Sequence, residues 1–203
     1  QDGKATEQAY LIYPDRFLQR FPTTTDFVQS ITPDERLWKV RFQSAGEKTY
    51  EQVVLATGQW TEWFQGQIDV PKQRAVLGSF AHWDHVEFGE QSFSHSLHGS
   101  NLIYQSLTKR LLLGATSVKD ETGTLVKKAE LREMWEHVRG TIHLDLPAFE
   151  DAAFSTGIRA LGPGRRPFAL NPAPGMHLVG GFYKNGWVYA WGLGERVARA
   201  VKK

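Results

Sequence analysis

Several short runs along the chain are rich in apolar residues, in part alternating with polar ones, and such runs predict β-strands. The alternation is clearest at Trp38, Val40 and Phe42, which single basic residues separate. Runs of this kind cover residues 26–31, 37–43, 49–56, 75–83, 101–105 and 110–115, with further strands predicted near 152–160, 166–170 and 176–181. Turn sequences join several neighbouring runs, which favours antiparallel hairpins. The stretch between 83 and 100 is rich in serine, histidine and glycine, and is predicted to be a polar loop.

Other segments repeat apolar residues every three or four positions, which is the spacing of an amphipathic helix. A short helix is predicted over residues 14–21, where Pro14 opens it and Pro22 closes it. Two longer helices are predicted over 125–138 and about 186–201. The candidate packing positions of the last helix are Val188, Trp191, Leu193, Val197 and Val201. The predicted fold class is therefore α+β, with a mixed, largely antiparallel sheet and few helices.

Composition adds to this picture mainly by exclusion. Of the 203 residues, 41% are hydrophobic and 23% are charged, which is ordinary for a globular protein with a substantial core. The formal net charge of +2 disfavours a nucleic-acid-binding surface. The lack of cysteine excludes disulfides, thiolate metal ligands and cysteine nucleophiles, and it fits the cytoplasmic location that we expect. No apolar run approaches the roughly 18 residues of a membrane span, so no membrane is expected as a partner.

Histidine pairs are the one pattern that raises the question of a metal. His82 and His85, and then His95 and His98, each have a three-residue spacing, and four imidazoles can hold zinc. Neither pair lies on a predicted helix, and no carboxylate pattern completes a ligand set. These are therefore interpreted as loop histidines, and no metal site is predicted.

The residues with the clearest chemical potential lie in the last fifty positions. Arg159 is on a predicted strand, and Lys184 precedes Gly186, where the last helix is predicted to begin. An arginine fork grips a carboxylate at two points, and the N–H groups of a helix start attract negative charge. This combination predicts a site for a small anionic molecule. The alternatives are an ion pair for Arg159 and a solvent-exposed role for Lys184.

Four motifs, in their order and spacing, resemble the family of FAD-dependent D-amino-acid oxidases and glycine oxidases. They are the turn Gly157-Ile158-Arg159, the glycine-bracketed loop 180–186, the strand that ends in Ala56-Thr57-Gly58-Gln59-Trp60, and the strand that ends in Gly114-Ala115-Thr116. The resemblance covers roughly residues 8–202. It implies the substrate domain of that fold together with the C-terminal part of its FAD domain. The corresponding division is 1–60 (partial FAD-domain element), 61–150 (substrate-domain-like sheet and helix) and 151–203 (strands and helix that return to the FAD domain).

The resemblance also assigns roles to individual residues. The arginine that corresponds to Arg159 binds the substrate carboxylate in the family, a tyrosine near the position of Tyr104 is presented to the substrate, and a basic residue near substrate and flavin corresponds to Lys184. The implied cofactor-binding residues are Thr57, Gly58, Gly180, Gly181, Lys184, Asn185 and Gly186. A strand tyrosine of the core is the alternative for Tyr104, and a conformational role is the alternative for the glycines. Ala160 replaces a family proline and Phe182 a family histidine, which leaves the substrate and the flavin linkage open.

One motif of the family does not occur in the sequence, namely the Gly-x-Gly-x-x-Gly turn that holds the FAD pyrophosphate. The sequence also begins with Gln1, and a truncated or excised chain is expected. The predicted function is that of an FAD-dependent oxidoreductase, or a fragment of one, which oxidises an amine or amino acid by hydride transfer to flavin. Whether FAD binds this chain is left open.

The alternative function is a non-catalytic module, which binds a small molecule or serves as a subunit and retains the fold without tight FAD binding. The sheet edges that a missing segment would leave exposed predict a homodimer or a partner chain. A small amine or amino acid is the expected ligand, and nucleic acid is not expected as a partner.

Overall fold

The computed structural model describes residues 17–97 and 99–202 of the chain. In order, the elements are β1 (Val28–Asp34), β2 (Leu37–Phe42), β3 (Gly46–Tyr50), β4 (Val53–Leu55), a 3-10 helix (Gly58–Phe64), β5 (Arg74–Trp83), β6 (Phe93–Leu97), β7 (Ser100–Gln105), β8 (Arg110–Gly114), β9 (Val118–Lys119), α1 (Lys128–Thr141), a 3-10 helix (Phe149–Asp151), β10 (Ala153–Leu161), a 3-10 helix (Pro163–Arg165), β11 (Phe168–Ala173), β12 (Met176–Gly180) and α2 (Gly186–Val201). Strands predominate, and their pairing is largely antiparallel, so the predicted fold class is confirmed.

Several sequence predictions fail at particular elements. β6 lies within the stretch predicted to be a polar loop, because its sequence Phe-Ser-His-Ser-Leu carries apolar residues only at its two ends. The run 49–56 is not one strand, since it divides between β3 and β4, which belong to different sheets. α1 begins at Lys128, three positions later than predicted. Of the predicted helix over 14–21, residues 14–16 lie outside the described part, and residues 17 and 18 are helical.

The chain divides into two compact units. Of the described residues, the first unit comprises 17–25, 81–97, 99–114 and 132–153, and the second comprises 26–80, 115–131 and 154–202. The chain passes from one unit to the other within β5 and within α1. The three-part division predicted from the sequence stays a prediction.

The first unit contains the antiparallel strands β6, β7 and β8, in that order. Leu102, Leu111 and Leu113 are completely buried, because inward-facing positions alternate along β7 and β8. Trp135 of α1 stacks on Trp83 with 4.3 Å between the ring centroids. The indole N–H of Trp83 donates to the carbonyl of Ala148 over 2.9 Å, which satisfies this buried donor.

The second unit begins with an antiparallel meander of β1, β2 and β3. Its buried face carries Ile31, Trp38 and Val40, and these side chains share one hydrophobic core with Met176 and Leu178 of β12. The Trp38 indole N–H donates to the carbonyl of Pro174 over 2.8 Å. The meander and the turn between β11 and β12 are therefore joined by both packing and a hydrogen bond.

A second sheet of this unit has the order β11-β12-β4. β4 is an edge strand of this sheet and is parallel to β12, with Leu55 opposite Leu178. Leu55 is buried, but Val54 is 46% exposed, so only one face of β4 is covered. The continuous apolar run at β4 thus does not reflect burial on both faces, contrary to the usual reading of such a run.

The last helix, α2, has the bounds that the sequence predicts. Its predicted packing positions are only partly correct. Val197 is buried and Leu193 and Val201 are half-buried, whereas Val188 is 74% and Trp191 64% exposed.

Candidate functional site

Arg159 lies on β10, which neighbours β5 in the sheet. Its side chain is half-buried, and one guanidinium N–H donates to the carbonyl of Thr116 over 3.2 Å. Among the described residues Arg159 forms no salt bridge, in contrast to Arg74, Arg110, Arg132 and Arg199. Its guanidinium therefore lacks a carboxylate partner among the described residues.

Gly78 on β5 makes room for this guanidinium. A Cβ atom on residue 78 would lie 2.3 Å from both terminal nitrogens of Arg159 and 2.4 Å from its Cζ. Gly78 is itself buried. The position of the Arg159 guanidinium thus depends on the absence of a side chain at Gly78, 81 positions earlier in the sequence. No sequence motif indicates this contact.

The loop that opens α2 is bonded to the end of β10. The N–H of Tyr183 donates to the carbonyl of Ala160 over 3.0 Å, and Leu161 forms an isolated antiparallel bridge with Phe182. These contacts place Tyr183 and Lys184 beside the strand that carries Arg159. The strand that carries Arg159 and the loop before α2 are thus hydrogen-bonded to each other within the second unit, and the joint role predicted for Arg159 and Lys184 stays a prediction.

Tyr183, which sequence reasoning missed, lies beside Lys184 on the loop that is bonded to the end of β10. Its hydroxyl is 3.3 Å from Oγ of Ser117, and the Lys184 ammonium lies 5.5 Å from the centroid of its ring. The hydrogen bond with Ser117 lowers the pKa of Tyr183 most strongly, burial opposes this effect, and the positive charges of Lys184 and Arg159 lower the pKa further. The Tyr183 hydroxyl is therefore in an environment that favours negative charge.

The N-terminus of α2 adds to this environment. Asn185 occupies the N-cap position but forms no side-chain capping hydrogen bond, and the first turn contains no acidic residue. The N–H groups of Val188 and Tyr189 donate to the Asn185 carbonyl, each over 3.1 Å. The positive end of the helix dipole at Asn185 and Gly186 is consequently not neutralised by its own side chains.

Gln73 connects the two predicted cofactor-binding turns and was also missed. Its side-chain N–H donates to the Gly58 carbonyl over 2.8 Å, and its side-chain oxygen accepts from the N–H of Gly181 over 3.0 Å. Its own backbone N–H donates to the Glu62 carboxylate over 2.6 Å. Because Gln73 is only 5% exposed, these hydrogen bonds fix the Thr57–Gly58 turn relative to the Gly180–Gly181 turn.

The Thr57–Gly58 turn has the geometry of a left-handed turn, since φ of Gly58 is +58°. The Thr61 hydroxyl donates to the Gly58 carbonyl over 2.8 Å and lies 3.0 Å from the Thr57 hydroxyl. Oε1 of Gln59 is buried and has no hydrogen-bond partner in the described part of the chain. A buried polar atom of this kind is usually satisfied by a ligand or a water molecule.

Thr57 also lines an apolar cleft of about 540 Å³. The other lining residues are Asp26, Phe27, Val28, Trp60, Trp63 and Phe64. Phe27 and Trp63 meet edge to face, with ring centroids 5.8 Å apart. A larger cavity, of about 1010 Å³, includes none of the predicted site residues.

Tyr104 belongs to the first unit and is completely buried. Its hydroxyl donates to the carbonyl of Gly89 over 3.3 Å, and its ring packs edge to face on Phe88. These contacts are those of a core tyrosine on a strand. Its predicted role toward a substrate stays a prediction.

The described residues contain neither a candidate metal site nor a candidate membrane-spanning helix. No three histidine, aspartate or glutamate side chains within residues 17–97 and 99–202 come close enough to hold a metal ion. His82 lies 3.8 Å from the Asp84 carboxylate, and His98 lies outside the described residues. Within the same residues, no helix combines the length and the apolar character that crossing a bilayer requires.

Known proteins provide an independent comparison. The sequence model of the DAO family, described as FAD dependent oxidoreductase, matches residues 24–200. No curated protein sequence matches the chain.

Solved structures share the fold at low sequence identity. Glycine oxidase from Bacillus cereus ATCC 14579 superimposes with a TM-score of 0.68 and 20% identity over 87% of this chain and 50% of its own. Glycine oxidase from Geobacillus kaustophilus superimposes with a TM-score of 0.64 and 21% identity, over 87% of this chain and 48% of its own. Iminodiacetate oxidase from Chelativorans sp. BNC1 superimposes with a TM-score of 0.67 and 16% identity, over 88% of this chain and 49% of its own. The chain therefore spans about half the length of these structures.

Proposed function

Because the chain belongs to the DAO family of FAD-dependent oxidoreductases, we propose that it is, or forms part of, an enzyme that oxidises a small amine or amino acid. One observation carries the proposal, namely the position of Arg159. It is an arginine without a salt bridge among the described residues, and it lies beside the loop that opens α2. A cation so placed is suited to the carboxylate of an amino acid.

Small amino acids are the proposed substrate class. Three of the solved structures with this fold are named as oxidases of glycine or of iminodiacetate. Arg159 would hold the substrate carboxylate through two parallel N–H···O bonds, and Lys184 would add positive charge from the loop. Binding by a planar fork fixes the orientation of the substrate as well as its position, which is the main catalytic contribution that this chain would make.

The residues of the second unit fit the flavin part of FAD. Gln59 presents a buried oxygen that has no hydrogen-bond partner among residues 17–97 and 99–202, and the N-cap side chain of α2 forms no capping hydrogen bond. Thr57, Gly58, Gly180, Gly181, Lys184, Asn185 and Gly186 are the residues that would contact the cofactor. The aromatic cleft beside Thr57 suits a flat ring system. When bound, FAD would supply the electron acceptor for the carbon that bears the amine.

The remaining chemistry falls to residues of the chain. Positive charge at the start of α2 would stabilise negative charge that develops beside it. Gln73 would keep the Gly58 and Gly181 turns at a fixed separation, so that both approach the ligand together. Tyr104, whose hydroxyl donates to the Gly89 carbonyl, stays a proposed substrate-binding residue that would shape the pocket with its ring.

A second candidate function is a non-catalytic subunit or small-molecule-binding module with this fold. It is favoured by one observation, that Arg159 forms no salt bridge among the described residues, because such a guanidinium can bind a small anion without any cofactor. Such a module would bind a small anion at Arg159 and would not retain FAD. The two functions therefore differ in cofactor binding rather than in fold.

Retention of FAD separates the two functions. The purified chain is incubated with FAD, freed of unbound cofactor by gel filtration, and examined for flavin absorbance and for oxidation of small amino acids with an artificial electron acceptor. Retained FAD that glycine or another small amino acid reduces would support the enzyme. A folded chain that stays colourless would overturn the proposal for this chain and favour the module. Gln59→Ala, which removes the unsatisfied buried oxygen, is expected to weaken retention, whereas the exposed Gln65→Ala is the matched control.

A further inference from the structure

Tyr183 has an unusual backbone conformation for an aromatic residue. Its φ is +52°, in the left-handed region that bulky residues rarely occupy. Two backbone hydrogen bonds maintain it, from the Tyr183 N–H to Ala160 and from the Asn185 N–H to Phe182, over 3.0 and 2.9 Å. Residues held in such conformations are concentrated at ligand-binding and catalytic positions.

The side chain of Tyr183 is directed to a hydroxyl group and two cations. Ser117 Oγ lies 3.3 Å from the phenol oxygen, and Ser117 is exposed. Lys184 lies over the ring, and the positive charges of Lys184 and Arg159 both lower the pKa of the phenol. Neither cation forms a salt bridge with any described carboxylate, although cations elsewhere in the chain do so. No described carboxylate therefore neutralises the positive charge at this position.

We propose that Tyr183 is a further ligand-binding residue, whose hydroxyl, oriented by Ser117, donates a hydrogen bond to the same compact carboxylate that Arg159 binds. This inference rests on the proposed function, and it adds a neutral donor that no family motif assigns. Either hydroxyl can donate in the Ser117–Tyr183 pair, and in the proposed arrangement Ser117 is the donor, so that the phenol proton is left for the ligand. Because the two cations increase the acidity of the phenol, its hydrogen bond to a carboxylate is strengthened.

The arrangement also defines which ligands suit the site. Arg159 supplies a planar fork, Lys184 a point charge, and Tyr183 a single donor at a fixed position. A small carboxylate can use all three, whereas an uncharged isostere of the same shape gains nothing from the cations. Acetate and acetamide therefore form a matched pair of probes that differ in charge and hardly in size.

Nuclear magnetic resonance tests this directly on the chain without FAD. Tyrosine is labelled with ¹³C at Cζ, arginine is labelled with ¹⁵N, and acetate is titrated at fixed pH and ionic strength. The Tyr183 signal is assigned by its loss in Tyr183→Phe, and the Arg159 signal by its loss in Arg159→Lys. Both signals are expected to shift saturably with acetate and not with acetamide.

The variants then identify the contribution of Tyr183. Tyr183→Phe is expected to weaken acetate binding, measured at the Arg159 signal, by about tenfold, because a hydrogen bond to a charged group is lost. Ser117→Ala is expected to weaken it by a smaller factor through loss of orientation. Tyr189→Phe, a conservative change at an exposed tyrosine of α2, is the control and should bind acetate as the unmodified chain does.

The outcomes separate this inference from the proposed function. If Tyr183→Phe binds acetate with unchanged affinity while the Arg159 signal shifts normally, the role of Tyr183 is overturned and the Arg159 site stands. If acetate shifts neither signal in the unmodified chain, both the inference and the carboxylate site at Arg159 are overturned. FAD retention, measured separately, bears on the proposed function and not on Tyr183.

Discussion

Gly78 and Arg159 share one small volume, since the space for a Cβ on residue 78 is filled by the Arg159 guanidinium. Residue 78 is buried on β5, so the guanidinium rests directly against backbone. This contact explains how a long, flexible side chain is held in one place without an ion pair. It also makes the site sensitive to a single added methyl group.

Gly78→Ala is expected to displace Arg159 and to destabilise the fold by about 1–3 kcal/mol, the usual cost of overpacking a core position. Urea unfolding measures the loss, and acetate binding should weaken in parallel. Arg159→Ala combined with Gly78→Ala removes the clash, so the two changes together should cost less than their sum. Gly157→Ala is the control, since a Cβ there meets nothing within 4 Å. If the losses in the free energy of unfolding of the two single variants add up in the double variant, the proposed clash between a Cβ at residue 78 and the Arg159 guanidinium is contradicted.

Gln73→Glu replaces the donor to the Gly58 carbonyl by an acceptor, while the acceptor for the Gly181 N–H is kept. The expected loss in the free energy of unfolding is about 1–3 kcal/mol at neutral pH, because two acceptors then face each other in a buried position. Below about pH 4 the protonated acid regains a donor, so the deficit should shrink as pH falls. The exposed Gln65→Glu serves as control. An equal deficit for both variants at every pH would refute the bridging role.

Asp26 supports a prediction on pH. Burial opposes its ionisation, but the N–H groups of Ser44, Ala45 and Phe27 outweigh this effect and lower the pKa below its ordinary 3.8. A depressed folded-state pKa gives stability that is present above the unfolded pKa and disappears as pH falls through the folded pKa. Asp26→Asn should therefore lower the melting temperature at pH 7 and make little difference in strong acid.

The matched control for Asp26 is Asp69→Asn. Asp69 is exposed and forms no hydrogen bond or ion pair among the described residues, so its change should leave the melting temperature nearly constant. A difference between Asp26→Asn and the unmodified chain that persists undiminished at low pH would show that the carboxylate charge is not the source of stability.

Exposed apolar residues on α2 predict self-association. Val188 is 74%, Trp191 64% and Tyr189 43% exposed, and apolar surface of this kind favours contact with another chain. Sedimentation velocity over a concentration series should show association that both Val188→Lys and Val188→Glu reduce. Opposite effects of the two changes would indicate charge rather than apolar contact, and a monomer at all concentrations would contradict the prediction.

The sequence predicts those elements whose pattern is continuous. β5, the hairpin of β7 and β8, and α2 all have uninterrupted periodicity, and their bounds agree closely with the structure. β6 was missed because serine and histidine occupy most of its positions, so neither apolar alternation nor β-propensity marks it. The exposure of Val188 was missed for a different reason, since periodicity indicates which residues share a face but not whether that face is covered.

The sequence indicates the two cations of the candidate site, but it does not indicate the residues that contact the elements around them. Arg159 and Lys184 are visible in the sequence because each stands in a local motif. The other contacts join residues that are far apart in the sequence. The separation is 108 positions for Gln73 and Gly181, 81 for Gly78 and Arg159, and 66 for Ser117 and Tyr183. No local sequence pattern indicates that the Gln73 side chain bonds two different turns. Nor does one indicate that the guanidinium of Arg159 packs directly against Gly78. Such contacts arise only when the strands are assembled.

The bridge made by Gln73 has a thermodynamic consequence for ligand binding. One amide joins two turns, so local opening of the Gly181 turn removes one of the two donors to the Gly58 carbonyl and leaves only the Thr61 hydroxyl, while displacement of Gln73 at the Gly58 turn removes the acceptor of the Gly181 N–H. A molecule that binds at either turn should then slow hydrogen exchange at the other without touching it. The two turns would respond as one cooperative unit, and occupancy of one would be reported by the amide protons of both.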